Sequence, residues 1–228
     1  MRPLSKAFTN VAAMQNLPLT GLVDRRILLN IRANPAVVGS LLPPPFRPQL
    51  IKGQAMVGIC SIRLKNQRLR GLPQFLGLTS ENGAHRYAVE WDADGQTQHG
   101  VFFPRRDTSS RINWLVGNRF LGIHYHSIFQ VNEDVGNYAV ALRNEGSTSL
   151  TMEAQETTVW PDTSVFATLE EASALFQRGA IGYSPQTDGT GFCGVKLSTS
   201  NWQVSALDVH HVTSGGFFKW TGCSRQAR

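Results

Sequence analysis

Residues 54–65 alternate in character from one position to the next, and this pattern constrains the chain to include a long β-strand. Successive side chains of an extended chain point to opposite faces. One face carries Met56, Gly58, Cys60, Ile62 and Leu64. The other carries Val57, Ile59, Ser61, Arg63 and Lys65. A strand of this composition is expected to bury one of its faces in a sheet.

A hairpin is predicted next, because Asp92-Ala93-Asp94-Gly95 is typical of a tight turn between antiparallel strands. Residues 84–92 would lead into the turn and residues 96–103 would leave it. The chain also contains 21 glycines and 11 prolines, which favour many short strands over long helices. Further strands are predicted at residues 25–33, 49–51, 121–131, 137–143, 148–159 and within 191–220, with a loop over 66–83.

Three short helices are predicted. The first follows Asn34-Pro35, since asparagine caps a helix N-terminus, proline suits its first position, and a proline run then ends it. The second lies within residues 108–120. Its apolar stripe consists of Ile112, Leu115, Val116 and Phe120. The third covers residues 169–178, where Thr168 and Glu171 form a capping box.

This pattern predicts one α+β domain, predominantly antiparallel β, over residues 23–228, with an N-terminal arm over residues 1–22. A curved sheet closed into a barrel-like or cone-like shape would protect the edges of so many strands.

The net charge of +6 comes mainly from arginine. The basic residues are scattered and form no run of five, so a small anionic molecule is the expected partner and a nucleic-acid interface is disfavoured. No apolar run approaches about 18 residues, which predicts no membrane partner. The three cysteines lack CxxC spacing, so neither a metal site nor a disulfide framework is predicted, and a reducing, cytoplasmic location fits.

The stretch Phe103-Pro104-Arg105-Arg106 carries the most chemistry. Adjacent residues on a strand point to opposite faces, so at most one of the two arginines would point inward. A guanidinium is permanently charged and offers a planar fork for a carboxylate or phosphate. Such a strand end predicts anion binding, although an exposed turn is the alternative.

Three segments together resemble the acetoacetate decarboxylase-like superfamily, and within it the DUF2071 (YqjF-like) branch. The first is the short helix in residues 34–46 that closes on Leu-Leu-Pro-Pro, followed by Lys52-Gly53-Gln54-Ala55. The second runs from Tyr87-Ala88-Val89-Glu90-Trp91 through the hairpin to Gly100-Val101-Phe102-Phe103-Pro104. The third is the late helix with Gly182-Tyr183-Ser184-Pro185, then Trp202 and the final strands. The resemblance covers roughly residues 22–220.

The resemblance implies a cone-like cavity and a site built on two lysines that follow a Phe-Pro, with a glutamate on a neighbouring strand. The matching positions in this chain are Arg105 and Arg106, with Glu90 as the glutamate. A guanidinium is too basic and delocalised to form an imine, so the family's Schiff-base decarboxylation is not expected from these residues. Homo-oligomeric assembly, common in the superfamily, stays open.

Further site residues are predicted from polar side chains near these strands. Glu90, Arg105 and Arg106 are the candidates for a catalytic or orienting role, unless the Glu90 face is the wet side of the sheet. The predicted ligand-binding residues are His85, Arg86, Arg111, His124 and His126. His124 and His126 share one face of a strand, but no third ligand is fixed by spacing, so no metal and no other cofactor is predicted.

Three functions remain open from sequence. The favoured one is binding of a small carboxylate or oxo acid in an internal cavity without a Schiff-base lysine, with or without catalysis. A second is an active lyase or decarboxylase that uses another lysine, for example Lys65 or Lys196. A third is a non-catalytic module that binds an acidic partner or nucleic acid through a basic surface.

Overall fold

The computed structural model describes residues 18–144, 149–178, 181–189 and 191–215. Most of these residues form strands, as expected for an α+β fold dominated by antiparallel sheet. The strands are β1 (Leu19–Ala33), β2 (Arg47–Pro48), β3 (Leu50–Ile51), β4 (Gln54–Leu69), β5 (Leu78–Ala93), β6 (Gln96–Thr108), β7 (His124–His126), β8 (Ile128–Asp134), β9 (Asn137–Arg143), β10 (Ser149–Thr157), β11 (Ile181–Pro185), β12 (Phe192–Lys196) and β13 (Ala206–Ser214).

The strands form two sheets. The larger has nine strands, with β1-β4-β5-β6-β11-β12 as its main order, while β2, β3 and β7 pair at its margins. The smaller has the order β13-β10-β9-β8. Neighbours are antiparallel except where β6 pairs with β7 and with β11. Within the described residues no pairing joins β1 to β12, so the sheet is open and does not close into the expected barrel.

The predicted hairpin is confirmed, since β5 and β6 are joined by Asp94 and Gly95, both at positive φ (53° and 73°). Several strand boundaries differ from the sequence expectation: β4 and β6 run beyond their predicted ends, to Leu69 and Thr108, and the strand predicted at 121–131 is divided into β7 and β8. β5 begins at Leu78, inside the segment predicted as a loop, and β1 begins at Leu19, inside the predicted arm. Residues 1–17 of that arm lie outside the described residues.

The three predicted helices are present as α1 (Pro35–Leu41), α2 (Arg111–Phe120) and α3 (Leu169–Arg178). Asn34 caps α1, where its Oδ1 accepts from the Ala36 amide at 2.9 Å. At α3 the Thr168 hydroxyl accepts from the Glu171 amide at 3.2 Å, as predicted, while the Glu171 carboxylate accepts from the Ala167 amide at 2.6 Å. A single 3₁₀ turn, Gln74–Leu76, precedes β5.

Both faces of the large sheet are covered. One face packs on the small sheet through a core of aliphatic and aromatic side chains that includes Val57, Tyr87, Phe102, Leu142 and Leu150. The opposite face packs on α3 and the segment before it. The residues of that layer include Met56, Ala88, Phe166, Ala172, Leu175 and Phe176. The fold therefore places a second, smaller packed layer beneath α3, and the candidate site lies in it.

No helix in the described part of the chain is long and apolar enough to span a membrane.

Candidate functional site

A cavity of about 30 Å³ lies between the large sheet and α3. Side chains from β1, β4, β5, β6 and α3 contribute to its wall, so it lies at the level where all these elements meet. Its polar lining consists of Arg26, Asn30, Gln49 and Arg86. Its apolar lining consists of Met56, Val57, Ala88, Val101, Leu175 and Phe176. A volume of this size holds about one or two water molecules.

Arg86 is the most deeply buried charged side chain of this cavity, with 6% of its surface exposed. Its guanidinium lies 4.9 Å from the centre of the Phe176 ring of α3. Nη2 donates to the Asn30 Oδ1, whereas Nε has no hydrogen-bond partner. Burial lowers the pKa of Arg86 to about 10, so the group stays charged at neutral pH while its hydrogen-bonding capacity is only partly used.

The sequence places Asn30 and Arg86 together through the register of three strands. Gly58 of β4 pairs with Asn30 of β1 on one side and with Arg86 of β5 on the other. A Cβ at Gly58 would lie 2.1 Å from the Leu29 carbonyl oxygen and 3.3 Å from the Arg86 Nε. Glycine at this position therefore leaves the space in which the Arg86 side chain reaches Asn30 across the strand.

Arg26 supplies a second positive charge to the same cavity. Its guanidinium lies 5.6 Å from the centre of the Trp202 ring, and Trp202 Nε1 donates to the Ser173 hydroxyl of α3 at 2.8 Å. The Nε of Arg26 is buried and has no hydrogen-bond partner. Each of the two arginines thus lies against an aromatic ring. This contact leaves N–H groups available in the plane of each guanidinium.

The electrostatics of the cavity are one-sided. Its lining contains two guanidinium groups and no carboxylate, and across the described ranges no acidic side chain forms an ion pair with Arg26 or Arg86. A buried charge without a counter-ion is costly, so buried arginines are ordinarily paired. The arrangement is suited to a small anion that enters from solvent.

The adjacent arginines of β6 point to opposite faces, as strand alternation predicts. Arg105 lies on the face of the small sheet, where Nε and Nη2 donate to the Asp107 carboxylate at 2.9 and 2.8 Å. The Ser127 hydroxyl donates to the same carboxylate at 2.7 Å, and the Tyr125 ring lies 4.0 Å from the Arg105 guanidinium. Arg105 therefore already has a buried counter-ion and does not line the cavity.

Arg106 pairs in register with Ala84 and so lies on the same face as Arg86. Its guanidinium lies 4.6 Å from the centre of the Phe103 ring, and its hydrogen bond to the Leu121 carbonyl, at 3.5 Å, is long. Burial lowers its pKa to about 10. Arg106 lies outside the lining of the cavity, so it adds positive charge to this face without reaching the site.

Among the described contacts, Glu90 forms no hydrogen bond with Arg105 or Arg106. Its carboxylate accepts from the Nε of Arg47, on β2, at 2.8 Å, and Arg47 also forms two 2.9 Å bonds with Asp92. Glu90 therefore pairs with an arginine of β2 and not with Arg105 or Arg106 of β6. Its partner comes from the strand added on the other side of β5.

The predicted histidines lie apart from the cavity. His85 is buried on the face of Arg105, and its partner in β6 is Arg105 itself. His124 lies opposite Arg106 at the start of β7, with its Nδ1 2.8 Å from the Gly122 carbonyl. His126 follows on the same strand, and Arg111 is an exposed residue at the start of α2. None of these four lines the cavity.

Acidification is expected to destabilise the protein through His124. Burial lowers the pKa of its ring from 6.5 to about 4, so below pH 6.5 the unfolded chain takes up a proton that the folded chain excludes. The stability present above pH 6.5 is lost as the pH falls towards 4, by about 2–3 kcal/mol for this ring. Urea unfolding at pH 7 and pH 4.5 tests this against His124→Leu, which removes this ring's proton uptake. An equal loss in both proteins would contradict it.

No group of three or more potential metal ligands is present in the ranges that the structure describes. The cavity offers guanidinium and amide groups in place of the carboxylate, imidazole or thiolate groups that hold metals.

Sequence reasoning identified Arg86 but missed Arg26, Asn30, Gln49 and Phe176. The placement of Arg26 and Asn30 on one face of a strand could have been predicted, because alternation places residues 26 and 30 on the same side. Their proximity to Arg86 depends on the strand order β1-β4-β5, which the sequence does not state. Phe176 reaches the cavity only because α3 packs on this face of the sheet.

Comparisons with known proteins support the fold. A family model, DUF2071, described as an uncharacterized conserved protein, matches residues 23–224. The acetoacetate decarboxylase of Legionella pneumophila is similar over 85% of this chain and 74% of its own, at 12% identity and a TM-score of 0.54. Another acetoacetate decarboxylase structure is similar over 83% and 79%, at 11% identity and 0.50. No curated protein matches the sequence.

Proposed function

The chain belongs to the DUF2071 family and has an acetoacetate decarboxylase-like fold, and on this premise we propose that it binds a small carboxylate or oxo acid beneath α3. The single observation that carries the proposal is Arg86, a buried guanidinium that has an amide oxygen as its partner where a carboxylate is usual. An anionic ligand would supply the missing counter-charge.

The recognition of the carboxylate is assigned to Arg86 and Arg26. A guanidinium binds a carboxylate with two parallel hydrogen bonds, and both arginines have an Nε that is free to take part. Asn30 Nδ2 donates to the Leu28 carbonyl at 3.2 Å, which turns its oxygen towards Arg86. Gln49 is the other amide in the lining and is the proposed partner of the ligand's oxo group.

The apolar lining sets the size of the rest of the ligand. Met56, Val101 and Leu175 are the side chains that a short aliphatic tail would contact. The cavity of about 30 Å³ accepts little more than a carboxylate head group. A ligand with several carbons must therefore displace the Phe176 ring, and with it part of α3, so we expect small acids to bind in preference to large ones.

Schiff-base chemistry is not proposed for this cavity. The described lysines are Lys52, Lys65 and Lys196, and none of them lines it. Lys65 forms an ion pair with Asp24 at 2.9 Å. Since none of these described lysines supplies an amine beside the bound acid, the proposal includes no imine with its oxo group. The proposed role is thus binding of an oxo acid in a reducing, cytoplasmic setting, without the lysine-dependent decarboxylation implied by the resemblance.

A thermal-shift series tests the proposal with matched pairs of probes. Pyruvate and acetate carry the carboxylate, whereas pyruvamide and acetamide have nearly the same shape without the charge. We expect saturating carboxylate to raise the melting temperature by about 5 °C, because a ligand that binds only the folded state stabilises it by mass action. Equal shifts with acids and amides, or no shift with either acid, would overturn the proposal.

A further inference from the structure

The helix α2 presents its apolar side chains to solvent. Leu115 is 64% exposed and Phe75, in the adjacent 3₁₀ turn, is 83% exposed. We call this region the α2 apolar surface. It consists of Leu72, Phe75, Leu76, Ile112, Trp114, Leu115, Val116 and Phe120. A soluble monomer rarely exposes so many large apolar side chains in neighbouring segments, and such patches mark interaction sites.

The two segments that carry this surface are fixed to each other. Asn113 of α2 donates through Nδ2 to the Gln67 side chain at 2.9 Å and to the Ser80 hydroxyl at 3.0 Å. Gln67 lies at the end of β4 and Ser80 near the start of β5, on either side of the 3₁₀ turn. The side chain of Asn113 thus holds the helix against the base of the loop that carries Phe75.

The charged residues of the two segments that carry this surface are all positive. Residues 66–77 and 108–123 contain four arginines, Arg68, Arg70, Arg111 and Arg119.

 Neither range contains an aspartate or a glutamate. Arg70, Arg111 and Arg119 are exposed. On β1 and β5, Asp24 and Glu81 form ion pairs with Lys65 and Arg63.

From this surface we infer that the protein associates with an anionic lipid surface through α2 and the 3₁₀ turn. Aliphatic and aromatic side chains beside arginines are the features of a segment that lies at a membrane interface. Positive charge attracts acidic headgroups, while Trp114, Phe75 and Leu115 reach the acyl boundary. This mode of binding needs no spanning segment, so the sequence-based expectation of no membrane partner, which considered spanning alone, does not address it.

A second copy of the chain fits this surface less well. An isologous dimer would bring two sets of arginines together with no acidic residue in these ranges to pair with them. A nucleic acid would match the arginines and aromatic rings but not the aliphatic Ile112, Leu115 and Val116. A lipid surface matches both the charge and the aliphatic character.

Vesicle co-sedimentation of the full chain tests this inference. The probes are vesicles of phosphatidylcholine alone and of an equal mixture with phosphatidylglycerol. We expect binding to the mixed vesicles only, weakened by salt and by about fivefold for each of Arg111→Gln and Arg119→Gln. Leu115→Asp is expected to reduce binding at least tenfold. The matched control is Val135→Asp at the β8–β9 turn, where an apolar residue is 95% exposed away from α2, and it should bind as wild type does.

Three results would overturn the inference. The wild-type protein could stay in the supernatant with both kinds of vesicle. Leu115→Asp and Val135→Asp could reduce binding equally, which would assign no role to α2. Light scattering could also show a wild-type dimer that Leu115→Asp converts to a monomer without any vesicle binding, and the surface would then be an interface between two copies.

Discussion

Replacement of Arg105 by Met is expected to lower the free energy of unfolding by about 3–5 kcal/mol. The reason is the carboxylate of Asp107, whose side chain is 1% exposed and which receives two hydrogen bonds from Arg105. Without that guanidinium, a buried negative charge loses its counter-ion and retains the hydrogen bond from the Ser127 hydroxyl. Equilibrium unfolding in urea measures the loss.

Two further variants show whether the loss comes from the stranded carboxylate. Arg47→Met removes another arginine that forms paired bonds with an aspartate, Asp92, but Arg47 is 44% exposed, so a much smaller loss than for Arg105→Met is expected. The double variant Arg105→Met/Asp107→Asn removes both buried charges and should recover much of the stability. A double variant no more stable than Arg105→Met would refute this explanation.

Replacement of Arg86 by Met is expected to have the opposite pattern, with little loss of stability and a large loss of binding. Arg86 has no carboxylate partner within the described ranges, so Met removes a costly buried charge and fills a similar volume. The free energy of unfolding should stay within about 1 kcal/mol of wild type or exceed it. Carboxylate binding should weaken about 100-fold or more, since a buried charged partner is lost.

Urea unfolding of Arg86→Met and Arg105→Met compares the stability lost at the two positions. The comparison is direct, because both variants replace a buried arginine of the large sheet by the same residue. If the two lost equal stability, Arg86 would be a structural residue like Arg105, and the view of it as an unpaired ligand-binding group would be wrong.

The sequence identified local features well where short-range chemistry decides them. The Asp94-Gly95 hairpin, the Asn34 cap and the Thr168 cap are all confirmed. Alternation also predicted that Arg105 and Arg106 face opposite sides, which the register confirms. These features depend on a few adjacent residues and on backbone geometry.

The position of the site could not be predicted because it depends on which layer covers each face of the sheet. Both faces of the large sheet are packed, one by the small sheet and one by α3, so neither Arg105 nor Arg106 is the exposed member of the pair. The carboxylate that Arg105 contacts is only two residues away, yet no sequence pattern indicated that Asp107 is buried. The contact between Arg86 and Asn30 depends on the position of β4, which lies between their two strands in the sheet.

The apolar stripe of α2 shows the same limit at the surface. Its helical spacing is correct, since α2 covers residues 111–120. Periodicity reveals which side chains share a face but does not reveal what covers that face. In the structure Ile112, Leu115 and Phe120 are exposed, and this difference led to the inference about lipid surfaces.

Calorimetric titration of pyruvate into the wild-type protein, Arg86→Met and Arg47→Met tests the central claim most directly. Arg47 is the matched control, because it lies on the same sheet but pairs with Glu90 and Asp92 away from the cavity. We predict binding heat for wild type and Arg47→Met, and none for Arg86→Met at the same concentrations. Binding that survives in Arg86→Met with unchanged affinity would contradict the assignment of the carboxylate site to Arg86.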